Sequence, residues 1–203
     1  MNKRKVVVID YDVGNIGSIR GIIRSHGYPC SVSSSPQQIA DSDVIVLPGV
    51  GAFPKAMAKL EQLYLVDLIR EMAEKGKIII GVCLGMQLLF DKSEEICETK
   101  GLGVIPGEVK KLGKPLWHIG WNSVHRISEF GVGQYFHGQQ FYFNHSFSVR
   151  CDPEFRKAVA TLENDVVAVV QKGNTVGLQF HPEKSQQSGY DLIGKMLGDN
   201  SYA

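Results

Sequence analysis

One cysteine, Cys83, stands where an apolar run ends and a helical pattern begins. The preceding residues, Ile78–Val82, are mostly β-branched, which is typical of a strand buried on both faces. Gly81 and Gly85 flank the cysteine, and glycines permit the sharp turn that lifts a nucleophile off a strand end. The positive end of the following helix favours the thiolate. The stretch therefore predicts a nucleophilic cysteine, although a small buried structural cysteine fits the same residues.

A base and an acid for this cysteine occur together near the end of the chain. His181 follows strand-forming residues at 176–180, and Pro182 restricts the histidine to an extended backbone. Residues two apart in an extended chain face the same side, so Glu183 can orient the imidazole. The order cysteine, histidine, glutamate predicts a nucleophile, a general base and its orienting acid. The remaining histidines fall at a helix end or in a stretch expected to be irregular, where each could be structural: His26, His118, His125, His137 and His145.

The elements that must position these groups alternate along the first half of the chain. We expect strands at residues 6–10, 30–33, 43–47 and 78–82, and helices at residues 19–26, 36–40 and 55–75. This alternation predicts an α/β fold with a doubly wound, mostly parallel sheet and helices on both faces. The loops after the strands then share one edge, where such sheets bind ligands. The loop with Gly49 and Gly51 lies there and can supply backbone N–H donors, although a plain connecting loop also fits.

The second half predicts shorter strands and an antiparallel extension of the same domain. Residues 101–111 indicate the first of these strands, and residues 141–149 alternate well enough to form one strand. Residues 166–171 and 175–180 predict a hairpin around Gly173 and Asn174. Because no linker or repeat interrupts the pattern, we expect a single domain over residues 1–203.

Length and composition exclude several classes of function. A chain of 203 residues with 43% hydrophobic content can bury a substantial core. A net charge of +1 gives no electrostatic reason to expect nucleic acid or an anionic membrane as a partner. The four cysteines show no CxxC spacing, which argues against a zinc site. The N-terminal apolar run is too short for a signal peptide, so we expect the reducing cytoplasm.

The motifs along the chain together resemble one enzyme family, the class I (triad-type) glutamine amidotransferases. Within that family they are similar to the glutaminase subunits of imidazole glycerol phosphate synthase. The resemblance implies a flavodoxin-like sheet and no cofactor or metal. The stretches that carry it are Asp10-Tyr11 with Gly14-Asn15, LPGVGAF at 47–53, GVCLGMQ at 81–87, HIGWN at 118–122 and QFHPEKS at 179–185.

The resemblance implies a role for each motif residue. Cys83 would attack the side-chain amide of glutamine, His181 would transfer protons, and Glu183 would orient the histidine. The implied oxyanion donors are backbone N–H groups at Val50, Gly51 and Leu84. The implied glutamine-binding positions are Gly49, Gly51, Gln87, Ser146 and Phe147. In the family, the 49–51 segment is thought to hold its peptide turned away until the partner is loaded, which fits its two glycines as a bistable element.

The resemblance also implies a partner, because we see no second catalytic set in this sequence that could use the ammonia. In the family the partner is a (β/α)₈ barrel synthase, and the heterodimer makes imidazole glycerol phosphate in histidine biosynthesis. The positions that match the subunit interface and ammonia path are Trp121, Asn122, Tyr142 and Lys184. Trp121 and Tyr142 could also be core aromatics.

Other readings of the sequence stay open. Trp117 and Ile119 stand where the histidine-pathway pattern has proline and methionine, and Asn144 and Phe147 replace its valine and tyrosine. A paralogous glutaminase subunit, which supplies ammonia for a nucleotide sugar in surface-polysaccharide biosynthesis, fits these departures. Two further alternatives are a flavodoxin-like binding module with an inert Cys83 and a cysteine hydrolase or peptidase.

Overall fold

A computed structural model describes residues 3–128, 131–136 and 138–198. The helices are α1 Ile16–Ser25, α2 Pro36–Ala40, α3 Phe53–Gln62, α4 Val66–Glu74, α5 Leu84–Leu88 and α6 Gln186–Gly198. The strands are β1 Val6–Ile9, β2 Cys30–Ser33, β3 Val44–Leu47, β4 Ile78–Val82, β5 Lys92–Ser93, β6 Thr99–Lys100, β7 Glu108–Lys111, β8 His118–Arg126, β9 Gln139–His145, β10 Phe147–Arg150, β11 Arg156–Thr161, β12 Asp165–Lys172 and β13 Thr175–Leu178. None of the helices in these ranges is long and apolar enough to cross a bilayer.

Nine of these strands form one sheet in the order β2-β1-β3-β4-β13-β12-β11-β8-β9. The five strands from β2 to β13 run parallel, and the following four alternate in direction. The other four strands form a smaller sheet in the order β10-β7-β5-β6. The predicted α/β fold, with its parallel sheet and antiparallel extension, is confirmed.

Both faces of the parallel half are covered by helices. In β1, Val6 and Val8 pack on the side of α1 and α6, whereas Val7 and Ile9 pack on the side of α2, α3 and α4. All four side chains are fully or almost fully buried. This double coverage explains why the parallel strands have continuous apolar sequences rather than alternating ones.

The single helix predicted at residues 55–75 is wrong, because the structure contains two helices there. α3 ends at Gln62 and α4 begins at Val66. Between them Tyr64 adopts φ +57°, a left-handed conformation that ends a helix, and its side chain stays exposed. The turn lets the following Leu65 become fully buried. Without a glycine at this position, the sequence carried no visible signal for the break.

The single strand predicted at residues 141–149 is also wrong. β9 ends at His145 and pairs with β8 in the main sheet, whereas β10 begins at Phe147 and pairs with β7 in the small sheet. Ser146 is the residue between them, and its carbonyl accepts the Leu112 N–H at 2.9 Å. The chain therefore changes sheets at a position where the sequence shows only continued alternation.

The region around the other histidines is not irregular. His118 and His125 lie on β8 and His145 lies on β9, and the register places His118 directly opposite His145. His137 lies outside the described residues. Nine-residue β8 escaped prediction because its burial is mixed, with exposed Ile119 and Trp121 between partly buried positions.

Candidate active site

The turn after β4 places Cys83 at the edge where the parallel strands end. Cys83 has φ +54° and ψ −108°, a strained conformation for a residue with a side chain, and its N–H donates to the Leu178 carbonyl at 2.7 Å. The flanking glycines are needed because backbones approach closely there. A Cβ added to Gly85 would lie 1.8 Å from the Leu47 oxygen, and one added to Gly81 would lie 2.7 Å from the Gly85 oxygen. The elbow predicted from the sequence is thus a tightly packed strand-to-helix turn.

His181 and Glu183 meet Cys83 from the end of β13. The Nδ1 atom of His181 lies 2.9 Å from Oε1 of Glu183, and the two side chains are 2% and 1% exposed. The other carboxylate oxygen, Oε2, is buried and has no hydrogen-bond partner among the described residues. A buried carboxylate with one unsatisfied oxygen favours a positive charge on its neighbour.

The charge state of His181 reflects a balance between burial and its two partners. Burial alone would lower the pKa of His181, because water no longer solvates the imidazolium. Hydrogen bonds to Cys83 and Glu183, together with their negative charges, outweigh burial and raise the pKa to about 9. The imidazolium form is therefore stabilised at neutral pH, as a cysteine–histidine ion pair requires.

A cavity of about 310 Å³ opens onto the thiol. His181 and Gln87 line it, and Glu95 lies on its wall, with Oε2 accepting the Phe53 N–H at 2.8 Å. The complete lining is Val50, Gly51, Cys83, Leu84, Gln87, Glu95, Asn144, His145, Ser146, Phe147 and His181. A carboxylate, a carboxamide and backbone polar groups around a nucleophile suit a small zwitterionic substrate.

Two buried carboxamides lie near Cys83: that of Gln87, which lines this cavity, and that of Gln179, which does not. Nε2 of Gln87 donates to the Phe147 carbonyl at 3.0 Å and to Oε1 of Gln179 at 3.2 Å. Because both hydrogens of this amide are used, Oε1 of Gln87 is the atom that can accept a hydrogen bond from a ligand. Nε2 of Gln179 lies 3.9 Å from Sγ of Cys83.

Two histidines in the antiparallel half of the sheet support the Phe147 carbonyl, which also accepts a hydrogen bond from Gln87. Nδ1 of His145 lies 2.8 Å from the Phe147 oxygen, and Nε2 of His145 lies 3.0 Å from Nδ1 of His118. Nε2 of His118 faces the amide nitrogen of Asn122 at 3.3 Å. Burial lowers the pKa of His118 to about 4 and that of His145 to about 3. Both histidines are therefore neutral near pH 7.

The predicted interface residues divide into two sets. The Trp121 and Tyr142 rings are 6.2 Å apart, and the Lys184 amine lies 5.8 Å from the Tyr142 ring, so these three form one surface cluster. Trp121 is 45% exposed, as a surface residue would be. Asn122 instead turns inward, where its amide bonds His118 and the Thr161 carbonyl at 3.1 Å. The Tyr142 carbonyl accepts the His181 N–H at 2.8 Å, which joins this cluster to the cavity.

The cavity is lined by most of the predicted catalytic, oxyanion and glutamine-binding residues, but by none of the four predicted interface residues. Two of those predicted residues do not line it: Gly49 packs against the start of α5, and Glu183 contacts Nδ1 of His181 instead. The backbone N–H of Leu84, as first residue of α5, has no acceptor within the helix, and φ +104° at Gly51 needs a glycine. Sequence reasoning assigned no role to Glu95, Asn144, His145 and Gln179. Gln179 had a signal in its place in the motif before His181, and Asn144 and His145 had one in the family pattern before Ser146.

Comparison with known protein families agrees with the geometry of the site. Over residues 7–194 the sequence matches the family described as "Glutamine amidotransferase class-I". Because this match spans most of the chain, the protein belongs to the class I glutamine amidotransferases. The family resemblance of the motifs is thereby confirmed.

Relatives with assigned names indicate which members of this family the chain resembles. The chain is 46% identical over 200 residues to imidazole glycerol phosphate synthase subunit HisH 2 of Vibrio vulnificus strain YJ016, covering 95% of this chain and 94% of the relative. It is 40% identical over 196 residues to subunit HisH of Bacillus cereus strain B4264, with the same coverage of 95% and 94%.

Solved structures share the fold at lower identity. PurLQS from Thermotoga maritima superposes with a TM-score of 0.77 at 20% identity, covering 96% of this chain and 98% of that chain. A crystal structure of a glutamine amidotransferase gives a TM-score of 0.72 at 16% identity, covering 94% and 97%. These likenesses support the architecture of the sheet and its helices.

Proposed function

We propose that this chain is the glutaminase subunit of an imidazole glycerol phosphate synthase. It would hydrolyse L-glutamine to L-glutamate and ammonia and deliver the ammonia to a synthase partner in histidine biosynthesis. The observation that carries the proposal is the cavity lined by Cys83 and His181, with Glu183 held against Nδ1 of His181. The relatives, which carry the name of this synthase subunit, support the pathway.

The chemistry follows from the positions of the three side chains. The Cys83 thiolate attacks the side-chain amide carbon of glutamine, and the imidazolium of His181 gives its proton to the departing ammonia. Neutral His181 then removes a proton from water, which attacks the thioester and releases glutamate and the thiol. Glu183, 2.9 Å from Nδ1, keeps Nε2 directed at the reacting atoms throughout. The N–H groups of Leu84 and of Val50 or Gly51 stabilise the tetrahedral oxyanions.

The remaining wall of the cavity fits the amino-acid end of glutamine. The Glu95 carboxylate and Oε1 of Gln87 are acceptors for the α-ammonium group. Backbone groups at Ser146 and Phe147 complete the grip, so the loss of a tyrosine hydroxyl at Phe147 is tolerated. Gly49 contributes by letting the 49–51 segment approach α5 rather than by touching substrate.

A barrel synthase of the (β/α)₈ type is the proposed partner, in a heterodimer docked on β8 and β9. The cluster of Trp121, Tyr142 and Lys184 supports this location, because it is exposed and is joined to His181 through the Tyr142 carbonyl. Ammonia released beside His181 would then have a short route to the partner. Four free cysteines fit the proposed cytoplasmic location of this single glutaminase domain.

Glutamate release from the purified protein and glutamine tests this function. The assay is run with and without a histidine-pathway barrel synthase loaded with its ribonucleotide substrate. We expect slow hydrolysis alone and strong stimulation by the loaded barrel. No glutamate under any condition would contradict the glutaminase assignment.

A second candidate is a paralogous glutaminase subunit that serves a nucleotide-sugar partner. The specific observation in its favour is the apolar surface at Trp117 and Ile119, which are 60% and 61% exposed where the histidine-pathway pattern differs. Hydrolysis stimulated only by a nucleotide-sugar barrel, and not by the histidine-pathway barrel, would select this candidate.

A further inference from the structure

Gln179 is a buried carboxamide beside the nucleophile for which the hydrolysis described above has no use. It follows β13 directly, is fully buried, and fixes its backbone by donating its N–H to the Ala168 carbonyl at 2.9 Å. Its side chain lies between Gln87 and Cys83. A carboxamide at such a place matters through its direction, because one end donates hydrogen bonds and the other accepts them.

The direction of the Gln179 amide is determined by its neighbours. The Phe147 carbonyl can only accept, so the amide of Gln87 must turn its nitrogen toward that carbonyl. The second hydrogen of the same nitrogen then points at Gln179, which must answer with its oxygen. The nitrogen of Gln179 is left facing Sγ of Cys83 at 3.9 Å.

The same reasoning extends outward through the histidine pair. Because the Phe147 carbonyl only accepts, Nδ1 of His145 must carry a hydrogen, and its Nε2 is then an acceptor. Nδ1 of His118 donates to it, and Nε2 of His118 accepts from the amide of Asn122. Two donors, from Gln87 and His145, therefore converge on one carbonyl and fix its position.

Two groups near Sγ of Cys83 have opposite effects on the charge of the thiol. The Asn144 carbonyl lies 3.9 Å from Sγ and can only accept, so it favours the protonated thiol. The N–H of Gln179, at the same distance of 3.9 Å, favours the thiolate. We propose that Gln179 stabilises the thiolate of Cys83, and that the chain from Asn122 through the two histidines, the Phe147 carbonyl and Gln87 holds its amide in the donating direction.

Other titratable groups face the same sulfur and must be separated from this effect. His181, backed by Glu183, supplies the positive charge from the end of β13. Tyr11 follows β1, and burial together with the charge of Cys83 raises its pKa, so the phenol stays neutral. Glu95 and His145 line the same cavity. None of these groups is changed by a substitution at Gln179.

The rate at which iodoacetamide alkylates Cys83 reports the thiolate directly, without glutamine or a partner. It is measured on the Cys83 peptide by mass spectrometry, because Cys97 is exposed and also reacts. In Gln179→Met, which removes the donor, we expect alkylation at pH 7 to fall about five-fold, the effect of losing one typical hydrogen bond. Gln179→Glu, which places an oxygen against the sulfur, should lower it further.

Two further variants complete the experiment. Gln87→Met leaves Gln179 intact but removes the donor that orients it, and should lower alkylation at pH 7 about two- to three-fold, as loss of one neutral hydrogen bond would. Gln140→Glu adds the same charge at an exposed position of β9 and should change nothing. Wild-type alkylation at pH 7 in the Gln179 variants, or in Gln87→Met should those not fold, overturns the proposal.

The catalytic consequence of this proposal rests on the proposed function, but the alkylation assay does not. If the protein hydrolyses glutamine while alkylation is unaffected by Gln179→Met, the role of Gln179 fails alone. If alkylation responds as expected and no glutamate appears with any partner, the glutaminase assignment fails and the role of Gln179 stands.

Discussion

The two halves of the main sheet contribute to the site in different ways. In the parallel half, β4 and β13 end at the cavity; Cys83 is the first residue after β4, and His181 is the third residue after β13. In the antiparallel half, the contributing residues lie within β8 and β9 and act across the strands. His118 faces His145, and Trp121 faces Tyr142.

This difference separates reaction chemistry from positioning. A group that leaves a strand end is held by the turn it sits in, so its motif is short and contiguous in the sequence. A cross-strand pair depends on register between distant segments, and it supports the reacting groups without touching the bond that breaks. We therefore expect substitutions in the parallel half to reduce turnover and those in the antiparallel half to alter binding.

The largest effect is expected from the nucleophile. Cys83→Ala should lower glutamine hydrolysis by at least about 10⁴-fold, because no other group in the cavity can form the thioester. Glutamate release by the complex measures it, and circular dichroism should show an unchanged fold. Cys97→Ala, at an exposed thiol, is the matched control and should behave as wild type. Residual activity near wild type would remove Cys83 from the proposed mechanism.

Substitutions of the proposed base, His181, and of its orienting acid, Glu183, should reduce kcat by different amounts. His181→Ala removes both proton transfers and should lower kcat about 10³- to 10⁵-fold, whereas Glu183→Gln keeps a hydrogen-bonding group on Nδ1 and should lower it about 10- to 10³-fold. Steady-state kinetics at saturating glutamine gives both values. A larger loss in Glu183→Gln than in His181→Ala would contradict the assigned roles.

The same pair makes a prediction about stability. The pKa of His181 in the folded protein, about 9, lies above the ordinary histidine value of 6.5, so the folded protein binds this proton more tightly than the unfolded chain does. This contribution is fully present below about pH 6.5 and is lost as the pH rises through 9. Between these pH values wild type should lose about 1–2 kcal/mol more unfolding free energy than Glu183→Gln does. Urea unfolding at pH 6 and pH 10 measures the difference, and equal losses in both proteins would contradict the ion pair.

Much of the parallel half could be predicted from the sequence. The elbow at Cys83 and the pairing of His181 with Glu183 follow from local geometry, because one turn and one extended dipeptide fix them. The doubly wound, mostly parallel sheet also follows from apolar runs alternating with helices. The break at Tyr64 was missed because a left-handed tyrosine is indistinguishable by type from a helical one.

The antiparallel half could not be predicted to the same depth. The partnership of His118 with His145 depends on strand register, and 27 positions separate the two residues in the chain. The change of sheet at Ser146 depends on which strands are available to pair with β9 and β10, which local alternation does not encode. The inward orientation of Asn122 has the same origin, since its partner Thr161 belongs to another strand.

A substitution on the outer face of β8 tests whether this half also binds the partner. Trp121→Ala should weaken the affinity for the barrel synthase about 10- to 100-fold, as expected for a central interface tryptophan, while hydrolysis by the free subunit stays unchanged. Lys184→Ala should weaken it less, because an exposed charge contributes little. Calorimetric titration measures both, with exposed Ile127→Ala as the control. Wild-type affinity in both variants would place the interface elsewhere.

The smallest effect is expected from the histidine pair, and it sharpens the distinction between positioning and chemistry. His118→Phe removes the hydrogen bond that His145 accepts, so the Phe147 carbonyl is held less firmly. The KM for glutamine should rise about three-fold, as the loss of one neutral hydrogen bond would give. In His118→Asn the amide nitrogen falls near the position of Nδ1 and should restore most of the affinity. The kcat should change less than KM in both variants, and His125→Phe, at an exposed position of the same strand, should change neither. A loss of kcat alone in His118→Phe would instead mean that the antiparallel half takes part in the chemistry itself.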